Sequence, residues 1–380
     1  MTITRARWRG WLAQAALLLV LGGLLWAGVA NLVHNLHSRA ITVGFAYLGE
    51  EAGFDISETL VAYDATSSYA AAFGVGLLNT LAVSAVAIVA ASGLGLALGV
   101  ARLASNGLLR LLATIYVETV RNVPLILQLL LWYGMLTELL PTVADAWTFG
   151  PAYLSQRGLT LPWPAPHAGW SAGALGVLLA LVLGGGWAAW AARVERRGGR
   201  RLPRLVPIAA LLVLLPAGLW ALWGAPVAIS VPRLASFDFE GGKTVSPEFT
   251  ALAFGLSVYT AAFIAEIVRG GIAAVPRGQV DAAQALGMDG AQRLRFVVLP
   301  QALRVIVPPL TSQYLNLVKN SSLAVVIGYP DLVSVSNTTL NQTGQAIEAI
   351  ALMMVVYLAL SLAIAGLMNA YNRRVRLVER

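Results

Sequence analysis

The feature that most limits this chain is the recurrence of apolar windows about 20 residues long, the length a helix needs to cross roughly 30 Å of hydrocarbon. Eight windows stand out: residues 11–33, 71–100, 111–140, 172–192, 205–225, 249–271, 304–329 and 346–370. A lipid-embedded backbone must satisfy its own hydrogen bonds, and unbroken apolar runs of this length do so as helices rather than barrel strands. Only 12% of the 380 residues are charged, about half the share a water-facing surface carries. The expected fold class is therefore all-α, a polytopic helical membrane protein of about eight transmembrane helices.

The connections carry basic residues unevenly. With the N-terminus inside, 20 arginines fall in inner segments, and only Arg39, Arg157, Arg233 and Lys243 fall outside. That asymmetry predicts cytoplasmic termini at both ends of a plasma-membrane protein. It also accounts for the formal charge of +8 as a topology signal, so no nucleic-acid partner is implied. The first window is longer than a signal-peptide core, which predicts an uncleaved anchor.

Four regions follow. Residues 1–70 form an anchor and an acidic outer segment (Glu50, Glu51, Asp55, Glu58, Asp64) with room for a short surface helix. Residues 71–140 form the first part of a core, and 249–380 the second. Between them, 141–248 combine a proline-rich stretch suited to extended chain, a helical hairpin around Arg193–Arg201, and a polar linker at 225–248.

Within 277–302 lies "DAAQALGMDGAQRLRFVVLPQA", Asp281 to Ala302, an inner segment of soluble character. Asp281 near a helix start suits the helix dipole, the alanines favour helix, and Gly287 fits a left-handed closing residue. A second helix is expected to stop before Pro300, and Pro308–Pro309 to break the backbone again. Small Ala282 and Ala283 would let the first helix lie close against another surface.

Asp281-Ala282-Ala283, then Gly287, then Leu299-Pro300 resembles the EAA loop of ABC-importer permeases, with Asp where Glu is usual. "GLLNTL" (Gly76–Leu81), "YVETVRNVPLILQLL" (Tyr116–Leu130), "PPLTSQYLNLVKNSSL" (Pro308–Leu323) and "IGYPDL" (Ile327–Leu332) resemble segments of the polar amino-acid uptake family. The proline-rich stretch, the hairpin and "LNQTGQAIEAI" (Leu340–Ile350) are similar to one permease of the proteobacterial general L-amino-acid systems. The resemblance implies the type I ABC-importer permease fold and broad-specificity inward transport of glutamate, glutamine, aspartate and asparagine. It also implies three partners: a cytoplasmic ABC ATPase dimer docking on the loop, a second, paralogous permease, and a periplasmic amino-acid-binding protein.

The chain itself is not expected to be an enzyme. A phosphate-binding loop needs a lysine after a glycine, with another glycine five residues before that one. Lys319 follows Val318, and Lys243 has Phe237 where the first glycine belongs. ATP and magnesium would thus be bound by the partner ATPase, with no cofactor in this chain. His34 and His37 share a helix face, but no third ligand suggests a metal site. A secondary transporter is the competing class; it would place carboxylates deep in the spans, whereas Glu118, Glu138, Glu266 and Glu348 mostly fall near span ends. Gly95 and Gly99 read as close helix packing.

For the substrate path, Arg121 and Asn122 precede Pro124, where a loosened helix would expose polar backbone, and Asn316 and Lys319 share a face at spacing three. Arg121 is expected either to bind a substrate carboxylate or to pair with Glu118.

Overall fold

The computed structural model describes residues 2–38, 44–165, 167–197, 202–203, 205–224, 227–235 and 238–375. Twelve α-helices occur among them: α1 (Thr2–Ser38), α2 (Tyr69–Ala101), α3 (Gly107–Asn122), α4 (Leu125–Gly134), α5 (Ala168–Arg196), α6 (Leu205–Leu222), α7 (Pro247–Ala273), α8 (Arg277–Ala285), α9 (Gly290–Arg293), α10 (Leu299–Asn320), α11 (Leu332–Thr343) and α12 (Ala346–Val375). Eight short strands join them: β1 (Trp147–Phe149), β2 (Ala152–Ser155), β3 (Gly158–Leu161), β4 (Trp163–Pro164), β5 (Ile229–Ser230), β6 (Arg233–Ala235), β7 (Asp238–Glu240) and β8 (Lys243–Val245). The chain divides into two compact units, residues 1–131 with 252–380, and residues 132–251.

Among the described residues, five helical segments are long and apolar enough to cross a membrane, or six with α3 and its successor counted as one broken span. Gln14–Gly28 and Val206–Leu222 are shorter apolar stretches. The expected eight windows therefore all fall on helical segments, the first of them within the 37-residue α1.

In the first unit, α2 and α7 approach through glycine. A methyl group on Gly95 would stand 2.6 Å from Ile264, and one on Gly99 would stand 2.7 Å from Val268. The GxxxG of α2 is thus an intrachain packing device, which lets dispersion contacts between backbones replace the missing hydrophobic drive in lipid. Residues 44–68 cap this unit, packing Tyr47 and Ala52 with Tyr69, Ala72, Phe73, Leu332, Val335 and Ala349. A 3₁₀ turn at Ala46–Gly49 is the short helix expected in this segment. Asn79, on α2, donates to Glu58 O (2.8 Å) and Pro330 O (2.9 Å), tying the cap to the loop before α11. Asp331 caps α11 by accepting from Ser334 N at 2.9 Å.

The second unit pairs α5 with α6, with Pro216 seated against Gly176. Its strands form an antiparallel sheet ordered β1-β2-β3-β8 and two small ladders, β4 with β5 and β6 with β7. Extended chain was expected for the proline-rich stretch, but the linker reading of 225–248 is corrected: it supplies four strands. Gly241 and Gly242, at φ +79° and +66°, make the tight turn between β7 and β8.

Three expectations about prolines are also corrected. Window 111–140 is not one helix: α3 ends before Pro124, and the next helix leaves at 104°. Pro300 and Pro308–Pro309, read as breaks, lie within helix. Pro300 is the second residue of α10, which follows directly on a π-turn at Leu294–Val298. That turn carries the chain into α10, with Leu299 N donating to Leu294 O.

Candidate functional site

Two features bear on function, the α8–α9 loop and a polar cavity. Helix α8 starts one turn earlier than expected, after Pro276, so Asp281 lies mid-helix rather than beside the N-terminus. There the helix dipole does not favour its charge. The helix closes as foreseen: Gly287 takes φ +79°, Met288 N donates to Ala283 O (3.1 Å) and Gly287 N to Gln284 O (3.0 Å), the paired bonds of a Schellman motif. Asp289 and Gln292 then form a reciprocal capping box on α9, and Arg293 donates to Gln284 Oε1 at 2.8 Å. The loop is thus held by its own hydrogen bonds. Ala283 is buried, while Asp281, Ala282 and Gly287 are exposed and Leu286 projects at 78% exposure. Leu299 and Pro300 open α10.

The cavity, about 270 Å³, is lined by Tyr259, Thr260 and Phe263 of α7 and Gln313, Asn316 and Asn320 of α10. Its size falls just below the usual range for ligand pockets, about 300–1,000 Å³. In α10 the lining residues recur three and four apart and so share one face, and in α7 Phe263 stands three and four residues after Thr260 and Tyr259. Phe263 also carries the guanidinium of Arg121, 5.2 Å from its ring centroid, a cation–π distance. Arg121 forms no ion pair with the described residues, and its Nε is buried without an acceptor.

Around Arg121 stand four more charges. Arg102, at the end of α2, donates to Glu266 at 2.5 Å and reaches Glu118 at 3.5 Å. Arg269 pairs with Glu266 from the same helix. Three arginines thus face two glutamates, leaving one positive charge in excess. Glu118 is engaged by Arg102, not by Arg121, which removes the simpler of the two expected roles. Asn316 lines the cavity, whereas Lys319 is exposed and Arg121 meets the cavity only through the Phe263 ring; neither is itself a lining residue. The Asn122 amide is spent on Glu118 O at 2.7 Å.

Sequence reasoning missed Tyr259, Thr260, Phe263, Gln313 and Asn320. The spacing that singled out Asn316 would have reached Gln313 and Asn320 had it been extended one turn each way. No group of three metal-ligating side chains occurs among the described residues. His167 accepts from Gly169 N as the cap of α5, and the side chains of His34 and His37 lie outside the described residues.

Residues 91–377 match the family described as binding-protein-dependent transport system inner membrane component. The chain is 50% identical over 375 residues to the putative amino-acid ABC transporter permease protein YhdX of Escherichia coli, covering 98% of this chain and 95% of that one. It is 42% identical to the general L-amino acid transport system permease protein AapQ of Rhizobium johnstonii, covering 98% and 94%. It is 41% identical to the glutamate/glutamine/aspartate/asparagine transport system permease protein BztB of Rhodobacter capsulatus, covering 96% and 92%. The chain belongs to the family of inner-membrane components of binding-protein-dependent transport systems.

Proposed function

We propose that this chain is the permease subunit of an ABC importer that carries polar L-amino acids, glutamate, glutamine, aspartate and asparagine among them, into the cell. Both termini face the cytoplasm in this reading. A separate ATPase dimer binds ATP and magnesium and docks on the α8–α9 loop, a periplasmic binding protein delivers substrate, and a second, paralogous permease completes the path. The names of the three full-length relatives support the substrate class.

The observation that carries the reading is the polar cavity with an unpaired arginine behind Phe263. An amino acid in a membrane needs both charged ends compensated. The planar fork of Arg121 suits the α-carboxylate, and the amides of Gln313, Asn316 and Asn320 offer acceptors for the ammonium group. Arg121→Lys keeps the charge and loses the fork, so the half-saturating L-glutamate concentration for uptake into proteoliposomes should rise about tenfold, the loss of one charge-assisted bond. Unchanged uptake in Arg121→Gln ends the proposal for this residue.

The docking role of Asp281, Ala282, Ala283, Gly287, Leu299 and Pro300 is tested by Gly287→Val. A β-branched residue at φ +79° is strained by about 1–3 kcal/mol. The chain should still insert while uptake fails and ATPase association weakens; normal uptake rejects the assignment. Co-purification of two differently tagged copies of this chain in one assembly would reject the paralogous partner.

A further inference from the structure

The break between α3 and α4 strands the last carbonyl groups of α3 and its cap, among them those of Val120 and Val123. In a continuous helix Val120 O would accept from the N–H four residues on, but that residue is Pro124, which has none. Val123 is extended, at φ −97° and ψ 128°, as a residue before proline prefers. Leu127 N turns to Pro124 O instead, so Val123 O is also left over. Stranded carbonyls in a lipid-embedded chain are costly. Both are taken by one side chain: Gln128 Nε2 donates to Val120 O and to Val123 O, each at 2.9 Å. Gln128 is only 7% exposed, and its two amide protons match two acceptors.

The two carbonyls bracket Arg121. Its Cα lies one residue after Val120 and two before Val123, so Gln128 fixes the backbone from which the guanidinium reaches Phe263. Removing the amide would free the last turn of α3 to rotate or fray, and a long side chain magnifies small backbone rotations at its tip. We infer that Gln128 is a positioning residue for Arg121: it holds the arginine against the cavity wall by satisfying the carbonyls that Pro124 leaves open. This inference rests on the substrate-binding reading of Arg121 above. The residue needs no contact with substrate, and its effect should pass entirely through Arg121.

The test is uptake of radiolabelled L-glutamate by the assembled importer in proteoliposomes, with Gln128→Leu, Arg121→Gln and the double variant. Gln128→Leu should raise the half-saturating concentration at least fivefold, and by a larger factor than it lowers the maximal rate. In the Arg121→Gln background the same change should add less than twofold, because coupled residues are non-additive. A purely structural glutamine would lower assembled protein and maximal rate without moving half-saturation, and would act equally in both backgrounds; either result overturns the inference. If Arg121→Gln itself leaves half-saturation unchanged, the carboxylate-binding reading fails and this one with it. If Arg121→Gln raises it and Gln128→Leu does not, only the positioning role fails. Should Gln128→Leu not assemble, Gln128→Asn decides. It keeps the amide but withdraws it by one C–C bond, about 1.5 Å, and should raise half-saturation two- to fivefold; an unchanged value overturns the inference.

Discussion

Helices α5 and α7 are nearly alike in mean hydropathy, 1.9 and 1.8, yet 22% of the apolar window is buried in the first and 72% in the second. Hydropathy chooses lipid over water for both, but it does not choose a partner. What distinguishes α7 is what meets it: the glycines of α2, the polar face of α10 and the Arg102–Glu266 pair. The two units differ in their ion pairs as well. Arg102–Glu266 and Arg157–Asp238 are both 2.5 Å long, but the side chains are 10% and 31% exposed in the first, and 56% and 64% in the second. Equal length does not mean equal worth, because water competes for the second pair and much less for the first.

The sharpest way to break the comparison is to fill the glycines. Gly95→Leu should collapse the yield of folded protein, since its first side-chain atom already meets Ile264 and overpacking a filled site costs about 1–3 kcal/mol or more. Gly185→Leu in α5, where nothing lies within 4 Å, should leave yield and melting temperature unchanged. Monodisperse recovery in detergent compares them. Equal tolerance would mean that α7 is not held by α2 in this way.

That contrast also shows what could be read in advance. The closing turn at Gly287 was legible because a left-handed helix terminus asks for glycine locally. The polar face containing Asn316 was legible because helical spacing is local too. The fate of each proline was not. Pro124 breaks its helix while Pro308 and Pro309 do not, and a proline's own neighbours cannot decide which carbonyls will find donors. In α3 the donor is Gln128, inside the next helix. The strands of 229–245 are two or three residues long, too short for alternation to show. Pairings such as Arg102 with Glu266, 164 positions apart, leave no local trace at all.

A smaller effect is expected from the buried pair. Glu266→Gln would leave Glu118, at 3.5 Å, as the one charged partner of Arg102 among the described residues. Breaking a fully buried pair costs about 3–5 kcal/mol, and the partial exposure of Glu266 should reduce this to about 1–3 kcal/mol. Differential melting in detergent reads it. A change no larger than that of Asp238→Asn would erase the distinction between the units.

Asp331 sharpens the comparison from the other side, because burial in the first unit also has a penalty. Outside the spans and fully buried, its carboxyl is pushed up to about 7 by desolvation, against hydrogen bonds from Ser334 and Val333 N–H that lower it. The folded state therefore holds this proton more tightly than the unfolded chain. Stability falls as pH rises from about 4 to about 7 and is flat above. Asp331→Asn keeps a helix-capping side chain and removes the ionisation penalty. It should raise the apparent melting temperature by about 2–4 °C at pH 8 and leave it unchanged near pH 4. A drop at pH 8 would show that the charged cap is worth more than its burial costs.

The smallest effect belongs to Asp238, at the exposed end of the comparison. Its carboxyl sits below the usual carboxylate range, first because Phe239 N–H donates to it and then because of Arg157. A depressed pKa means that the stabilisation is fully present above about pH 4, the unfolded value, and is lost as pH falls through the folded one. The group is almost wholly in water, so the ion pair is worth about 0.2–1 kcal/mol at most and is screened by salt. Asp238→Asn should therefore shift the melting temperature at pH 7 by no more than about 1–2 °C in low salt. The shift should shrink in 0.5 M salt and as pH falls through the lowered folded-state pKa of the aspartate. A larger, salt-insensitive shift would mean that Arg157 and Asp238 are covered by another chain in the assembled importer.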